Sequence, residues 1–247
     1  AIYVKGEKIK KILYGIDIGT TELLYAKENE YDCVIAHHPV LVNSWRVFLW
    51  HITQLEAQGV PSELAKEIVS KKAHFLKFGF HARNYDAVPA FARLLEMPFL
   101  NIHSPSDELG RRLIHAAIEQ LTKEAQNPVL RDIRPYLEDQ YIEFKKAQTR
   151  VEIAKGEDND YLGNWVFSHG ALTNGGYELA ECYFQHGLDT VIYIHIGPGD
   201  LARIQNLEKG SLVITGHLVS DSVGINPFLN KLEEKGCEIT AIGGLIR

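Results

Sequence analysis

Short apolar segments alternate with helical segments along almost the whole chain, and this alternation limits the fold more than any other feature. Residues 11–18 and 32–36 are apolar and partly β-branched, and a stretch of helical composition lies between them. This order predicts a strand, a helix and a second strand. Because the pattern then repeats, we expect an α/β protein.

The predicted elements of the first half follow from helical spacing, chain breakers and short apolar runs. Gly59 and Pro61 separate two helices, because glycine favours the end of a helix and proline its first turn. We predict helices over residues 44–58, 62–78, 87–95 and 108–124, and a strand over residues 99–102.

A polar connection around residues 127–134 leads into a second half with the same alternation. The alternation of its first segment, residues 141–154, is sufficient to predict a strand or one arm of a hairpin. We predict further strands over residues 165–169, 190–196, 211–215 and 238–242, and helices over residues 177–185, from residue 200, and over residues 226–235.

The two halves predict two similar α/β lobes with mixed sheets flanked by helices, and a site between them at strand ends. The expected boundaries are residues 1–126 and 127–247, as separate lobes or interwound into one compact unit. No short internal sequence repeat and no low-complexity tract stand out. A length of 247 residues with 45% hydrophobic content is sufficient for such a core.

Composition argues against several classes of protein. The net charge of -6 provides no overall basic field for a nucleic acid. No apolar run approaches the roughly 18 residues of a membrane span, so no membrane partner is expected. Three widely spaced cysteines favour the reducing cytoplasm. Because the chain begins without Met, we expect a segment to precede Ala1.

Residues 15–21 read GIDIGTT, which is similar to the first phosphate loop of the actin, sugar-kinase and heat-shock ATPase superfamily. That superfamily also needs two further nucleotide loops in a duplicated fold, whereas here the loop leads directly into a helical stretch. We therefore favour Thr20 or Thr21 as the cap of this helix. A nucleotide kinase or ATPase is the third alternative for function.

Two adjacent histidines end one apolar segment, which reads CVIAHHPV over residues 33–40. Adjacent side chains on a strand point to opposite faces, but at a strand end both His37 and His38 can turn toward one point, and Pro39 fixes the exit of the chain. Such a pair suits two metal ions, or one ion approached from two sides. The alternative is one core histidine and one surface histidine.

Two further strands end in a histidine that is followed four residues later by an aspartate. These pairs are His103 and Asp107 in IHSPSD, and His217 and Asp221 in TGHLVSD. Since the ends of parallel strands share one edge of a sheet, we expect these groups to meet the histidine pair there. Imidazole and carboxylate together suit zinc, iron or manganese, and a carboxylate can bridge two ions.

Each aspartate also has a purely structural alternative. Asp107 and Asp221 are both suited to the N-cap of a following helix, and residues 226–227 would be another start for the last one. His169 and His195 also end apolar strands and are second-rank candidates for the site.

Together these motifs resemble the NGG-interacting-factor-three-like family, whose members are also known as GTP cyclohydrolase type 2 homologues. The family pattern is a hydrophobic strand ending in His-His-Pro, a later His-Thr-x-x-Asp, and a Gly-His followed four residues later by Glu. DCVIAHHPV, IHSPSD and TGHLVSDSVG stand in the same order here, and the resemblance covers most of the chain. It implies a two-lobed α/β fold, a dinuclear site and a ring-shaped homohexamer.

The resemblance also implies roles for the matching residues. Asp221 stands where the family has a glutamate that bridges both ions, and its side chain is one methylene shorter. The residues that match the other metal ligands are His37, His38, Asp107 and His217.

Two more histidines are candidates for catalytic proton transfer rather than ligation. His103 begins the second motif without being a usual family ligand, and His169 lies in a segment, residues 168–176, that loosely matches a glycine-rich turn of the family. Ser104 replaces the usual threonine, and the helix that normally precedes the first strand is missing or truncated.

The function that follows from the resemblance is a hydrolase that uses two divalent ions and is similar to a GTP cyclohydrolase, with the substrate unknown. The alternative is a metal-stabilised ring that acts as a scaffold or regulatory interaction protein without catalysis. We favour the hydrolase, because a histidine and aspartate set with open positions is typical of reactive sites. The expected partners are a small-molecule substrate and other copies of the chain.

Overall fold

The computed structural model describes residues 1–170 and 174–247, which contain nine strands and ten α-helices. The strands are β1 (Ile2–Val4), β2 (Lys11–Gly15), β3 (Cys33–Ala36), β4 (Phe99–Asn101), β5 (Glu152–Lys155), β6 (Trp165–Phe167), β7 (Thr190–Tyr193), β8 (Ser211–Ile214) and β9 (Glu238–Ile242). The helices are α1 (Thr20–Glu28), α2 (His51–Ala57), α3 (Ser62–His81), α4 (Ala87–Leu94), α5 (Ser104–Glu124), α6 (Ile133–Gln140), α7 (Ile142–Lys146), α8 (Gly176–Gln185), α9 (Pro198–Gln205) and α10 (His217–Glu234), and 3-10 turns occupy Val42–Trp50 and Leu130–Asp132.

The strands form two mixed sheets, which confirms the predicted class. The five-stranded sheet has the order β1-β4-β3-β2-β9, and only β1 in it is antiparallel to its neighbour. The four-stranded sheet has the order β5-β8-β7-β6, and only β5 is antiparallel. Since the remaining strands of each sheet are parallel, their carboxyl ends lie along one edge.

Helix α10 packs against both sheets. Ile225 and Leu229 belong to the core on the five-stranded sheet, whereas Val219 and Val223 belong to a core on the four-stranded sheet. Residues 219–226 are consequently buried without interruption. This helix therefore ties the two sheets together directly beside the strand ends.

Several predicted elements differ from the structure. Residues 44–58, predicted as one helix, lie in a 3-10 stretch, Val42–Trp50, and in α2. Residues 141–154 form α7 followed by β5, not a continuous strand, because Glu143 and Phe144 are buried on a short helical turn. The last helix begins at His217 rather than near Asn226, and Pro227 lies inside it. Burial of the first two turns of α10 outweighs the local start signal, and proline then costs the helix one backbone hydrogen bond.

Strand β9 of the second half completes the sheet of the first half by pairing with β2. The boundary between residues 126 and 127 stays a prediction. Within the described residues, none of the helices has both the length and the apolar character needed to cross a membrane.

Candidate metal centre

The carboxyl ends of β3, β4, β6, β7 and β8 are each followed within three residues by a histidine. Because these ends face one another, the side chains come together around one cavity of about 390 Å³. The titratable residues that line the cavity are Asp17, His38, Arg83, His103, Asp107, His169, His195, His217 and Asp221. Behind them, His37 is almost completely buried.

The carboxylate of Asp221 occupies the middle of this cluster. Its Oδ2 lies 3.6 Å from His37 Nε2 and 3.7 Å from His38 Nε2. The same oxygen lies 3.2 Å from His217 Nε2. On the inner side, Asp107 Oδ1 lies 3.1 Å from His37 Nε2. All five residues predicted as metal ligands therefore lie in one cluster, with the aspartate of the third motif shared by its members.

The buried atoms of the cluster fit a divalent cation. His37 Nδ1 lies 3.1 Å from the carbonyl oxygen of Ile102, so this nitrogen carries the proton and donates it, and Nε2 presents a lone pair. Within the described residues, His37 Nε2, Asp107 Oδ1 and Asp221 Oδ2 are buried without a hydrogen-bond partner. Acceptors that face one another out of reach of water are costly unless a cation lies between them.

Groups of three candidate ligands recur within the cluster, with their atoms no more than 4.8 Å apart. Two of these groups share Asp221. The members are His37, Asp107 and Asp221 in one, His38, His217 and Asp221 in another, and His37, His38 and His103 in a third.

A close crossing of α5 and α10 positions the two aspartates. Gly224 lies against α5 so tightly that a Cβ there would overlap the carbonyl oxygen of Ser106 and lie 2.8 Å from the amide nitrogen of Gly110. Asp107 and Asp221 each lie three residues before the glycine of their own helix. The absence of side chains at the crossing therefore brings both carboxylates to the same place.

The alternative that these aspartates serve as N-caps is wrong. The cap positions are His103 for α5 and Gly216 for α10. Asp107 and Asp221 thus lie inside their helices, four residues after a histidine, and both are almost completely buried. Their carboxylates face the site rather than the free N–H groups of the first turn.

The two helix starts also share a sequence that the initial expectation missed. Residues 103–110 read HSPSDELG and residues 217–224 read HLVSDSVG, so both contain His-x-x-Ser-Asp-x-x-Gly. Each segment follows a strand, β4 in one sheet and β8 in the other, and opens a helix. The expectation of no short internal repeat is therefore wrong here, and each half supplies an equivalent histidine–aspartate pair.

Asp17 is a site residue that sequence reasoning did not place. Its Oδ1 lies 2.7 Å from His38 Nδ1, which leaves the Nε2 of that ring facing Asp221. Carboxylates that hold a ligand histidine in this way fix its tautomer and orientation. Within the GIDIGTT segment, Gly19 is the cap of α1, so the expected cap at Thr20 or Thr21 is wrong.

Electrostatics of the cluster keep the carboxylates charged. Burial raises the pKa of Asp221, but the imidazoles of His217, His38 and His37 beside its carboxylate outweigh burial and hold this pKa well below its usual value. Burial lowers the pKa of His38, but the nearby carboxylates of Asp221 and Asp17 outweigh burial and raise it to about 9. Without a metal ion, the His38 ring therefore carries a proton at neutral pH.

The two histidines proposed for proton transfer have lowered pKa values, in contrast to His38. Burial, only partly offset by the charge of Asp107, lowers the pKa of His103 to about 4. Burial also lowers the pKa of His169, whose Nε2 is buried without a partner in the described residues and lies 3.9 Å from Asp221 Oδ1. Both rings are consequently neutral near pH 7.

His195, a second-rank candidate, also belongs to this cavity. Its ring centroid lies 4.6 Å from that of His217. Burial, with the charge of His217, lowers the pKa of His195 to about 4. Residues 171–173 of the expected glycine-rich turn lie outside the described residues.

The fold and the site define a two-sheet α/β protein with a histidine and aspartate centre at its strand ends. A NIF3 superfamily protein from Sphaerobacter thermophilus, known from its crystal structure, is 41% identical, with a TM-score of 0.91 over 99% of this chain and 90% of that one. The present chain therefore belongs to the NIF3 superfamily, the family named after NGG-interacting factor three. The predicted family and its fold are confirmed.

More distant structures share the fold alone. A Bacillus cereus protein related to NIF3 is 8% identical, with a TM-score of 0.52 over 95% of this chain and 87% of that one. A hypothetical protein of Staphylococcus aureus is 13% identical, with a TM-score of 0.53 over 98% of this chain and 87% of that one. No protein-family profile and no curated protein matches the sequence.

Proposed function

We propose that this protein is a metal-dependent hydrolase with a dinuclear centre. The observation that carries the proposal is the convergence of buried, unpartnered acceptor atoms around Asp221 Oδ2. Such a donor set of imidazole and carboxylate suits zinc, iron or manganese. The proposed ligands are His37, His38, Asp107, His217 and Asp221.

Asp221 would bridge the two ions in this arrangement. The group with His37 and Asp107 supplies the ligands on the inner side, and the group with His38 and His217 supplies those on the outer side. Although its side chain is shorter than the glutamate of the family, the crossing of α5 and α10 brings its backbone close to the site. Support for two ions rather than one therefore comes from the two groups that share this carboxylate.

Divalent ions held here would supply Lewis acidity and lower the pKa of water toward neutrality. The residues of the chain would orient the metal ligands and transfer protons. The carbonyl oxygen of Ile102 fixes the ring of His37, and Asp17 fixes the ring of His38. The Nε2 atoms of both rings therefore face the other proposed ligands. The neutral rings of His103 and His169 are placed to accept and pass on a proton beside the carboxylates.

The substrate of this hydrolase is a small molecule that fits the cavity lined by the cluster. The family resemblance favours GTP cyclohydrolase-like chemistry, in which a ring carbon is attacked. A homohexameric ring in the cytoplasm completes the proposal. Unpaired thiols at all three cysteines support this location.

A metal-stabilised scaffold without catalysis is the second candidate function. Large apolar side chains on the surface favour it, because Phe75 is 73% exposed and Phe78 is 58% exposed on the same helix, α3. Such side chains suit contacts with other copies or partners. In this case the metal would contribute stability rather than turnover.

Elemental analysis of protein purified without added metal or an affinity tag tests the proposal. We expect about two equivalents of metal per chain in the parent, as in dinuclear centres. His38→Ala and Asp221→Ala should lose metal, whereas His74→Ala, at an exposed histidine on α3, should not. Metal-free parent protein, or unchanged content in both site variants, would contradict the centre.

An assay of hydrolysis by the metal-loaded parent then distinguishes the hydrolase from the scaffold. GTP and a panel of small phosphate esters and amides are suitable substrates for the first assay. Turnover that is lost in the site variants but kept in His74→Ala supports the hydrolase. A metal-loaded ring with no turnover of any substrate favours the scaffold.

A further inference from the structure

One arginine stands at the rim of the cavity that contains the candidate metal centre. Arg83 follows the end of α3 and lines this cavity together with His38 and His103. Its side chain is exposed, and its guanidinium carbon lies 4.5 Å from the ring centroid of Phe80. The guanidinium therefore makes a cation–π contact with this ring, and its N–H groups stay available for other partners.

Within the part of the chain that the structure describes, the N–H groups of this guanidinium have no partner. Across residues 1–170 and 174–247, no carboxylate forms an ion pair with Arg83, and its side chain makes no hydrogen bond. Asp17 lines the same cavity, but its carboxylate contacts His38 instead. A planar fork of donors is thus available to a ligand in the cavity.

Apolar residues also line the cavity. Their side chains give a small molecule an apolar surface to lie against, and the volume of about 390 Å³ is within the range of ligand pockets. The apolar residues that line the cavity are Ile18, Pro39, Val40, Leu76, Phe80 and Ile194.

We propose that the cavity binds a small molecule with an apolar body and a phosphate or carboxylate group, and that Arg83 binds this anionic group. The body of the ligand lies along the apolar wall, with its reacting end at the histidine and aspartate cluster. The inference rests on the proposed function, because the carboxylates of Asp17, Asp107 and Asp221 would repel an anion unless bound divalent ions balance them.

Calorimetric titration of the metal-loaded protein with phenylphosphonate tests the site, because this probe has an aromatic body and an anionic group. Benzyl alcohol is the neutral control ligand. Arg83→Ala should weaken binding of phenylphosphonate about tenfold or more, since hydrogen bonds to charged groups are of this strength. Arg83→Lys should lose less, because it keeps the charge but not the fork.

Arg46→Ala is the matched control variant. The guanidinium of Arg46 also lies over an aromatic ring, 5.8 Å from the centroid of Trp45, but this residue does not line the cavity. It should leave the affinity for phenylphosphonate unchanged. Binding of benzyl alcohol should be insensitive to all of these substitutions.

The metal content of each titrated sample separates this inference from the proposed function. Equal affinity of the metal-loaded parent and Arg83→Ala for phenylphosphonate, or no binding by either, would overturn the anion site and leave the metal centre standing. A parent without metal would contradict the proposed function. Binding that still depends on Arg83 in such a sample would support the anion site, and loss of this dependence would overturn it.

Discussion

Asp17 Oδ1 and His38 Nδ1 lie 2.7 Å apart, at the ends of two neighbouring parallel strands. The contact turns the Nε2 of the same ring toward Asp221. It also gives the aspartate of the GIDIGTT segment a role that needs no nucleotide, because the carboxylate orients a candidate metal ligand. Since the side chain of Asp17 is 75% exposed, water competes for it, and its effect is expected to be moderate.

Asp17→Asn should weaken metal binding without unfolding the protein. Mutation of a carboxylate that orients a ligand histidine typically lowers metal affinity by about tenfold to hundredfold. Competition with a chromogenic chelator measures this affinity. Asp86→Asn, which removes an exposed carboxylate from a surface ion pair with Arg93, is the control and should bind metal like the parent. Parent-like affinity of Asp17→Asn would show that the contact does not position His38.

Metal binding should release a proton from His38 at neutral pH. In the metal-free site its raised pKa of about 9 keeps the ring protonated at pH 7, whereas a ligand nitrogen must be unprotonated. Affinity should therefore fall as the pH falls below about 9. Calorimetry at pH 7.5 in buffers of different ionisation enthalpy counts the protons released. We expect roughly one more proton from the parent than from His38→Ala, and equal counts would contradict the assignment.

Most of the candidate site was predictable because it depends on strand ends. His37, His103 and His217 each follow an apolar strand, and parallel strands place their ends along one edge whatever the detailed packing. The same motifs carried the family resemblance, which the structural match confirms. Local sequence was thus sufficient to predict which residues meet.

Features that depend on packing between distant segments were not predictable in the same way. The contact of Asp17 with His38 requires the register of β2 and β3, which no local signal supplies. The start of α10 was misplaced because burial between two sheets, not a cap residue, fixes it. No local signal marks Gly110 and Gly224, and only the crossing of their helices explains them.

Gly224→Ala should destabilise the protein and disturb the site together. The added Cβ would overlap the carbonyl oxygen of Ser106, so α5 and α10 must move apart, which costs about 1–3 kcal/mol for overpacking of a core. The same movement separates Asp107 from Asp221 and should lower metal content. Urea unfolding and elemental analysis measure the two effects.

The control for this substitution is Gly79→Ala on α3. A Cβ at Gly79 meets no atom within 4 Å, so alanine should stabilise its helix by about 0.5–1 kcal/mol. If Gly224→Ala behaved like this control, the close crossing would not be what holds the two carboxylates together.

Removal of bound metal should lower the thermal stability of the parent. Without a cation, His37 Nε2, Asp107 Oδ1 and Asp221 Oδ2 remain buried and face one another without partners, and a ligand that binds only the folded state contributes about 2.7 kcal/mol at a hundred times its Kd. Differential scanning calorimetry with and without a chelator measures the change in Tm. Asp221→Ala should respond little to the chelator, because it has already lost the shared ligand. A parent whose Tm is unaffected by chelation, although elemental analysis shows that the metal has been removed, would mean that the cluster tolerates its buried acceptors without a cation.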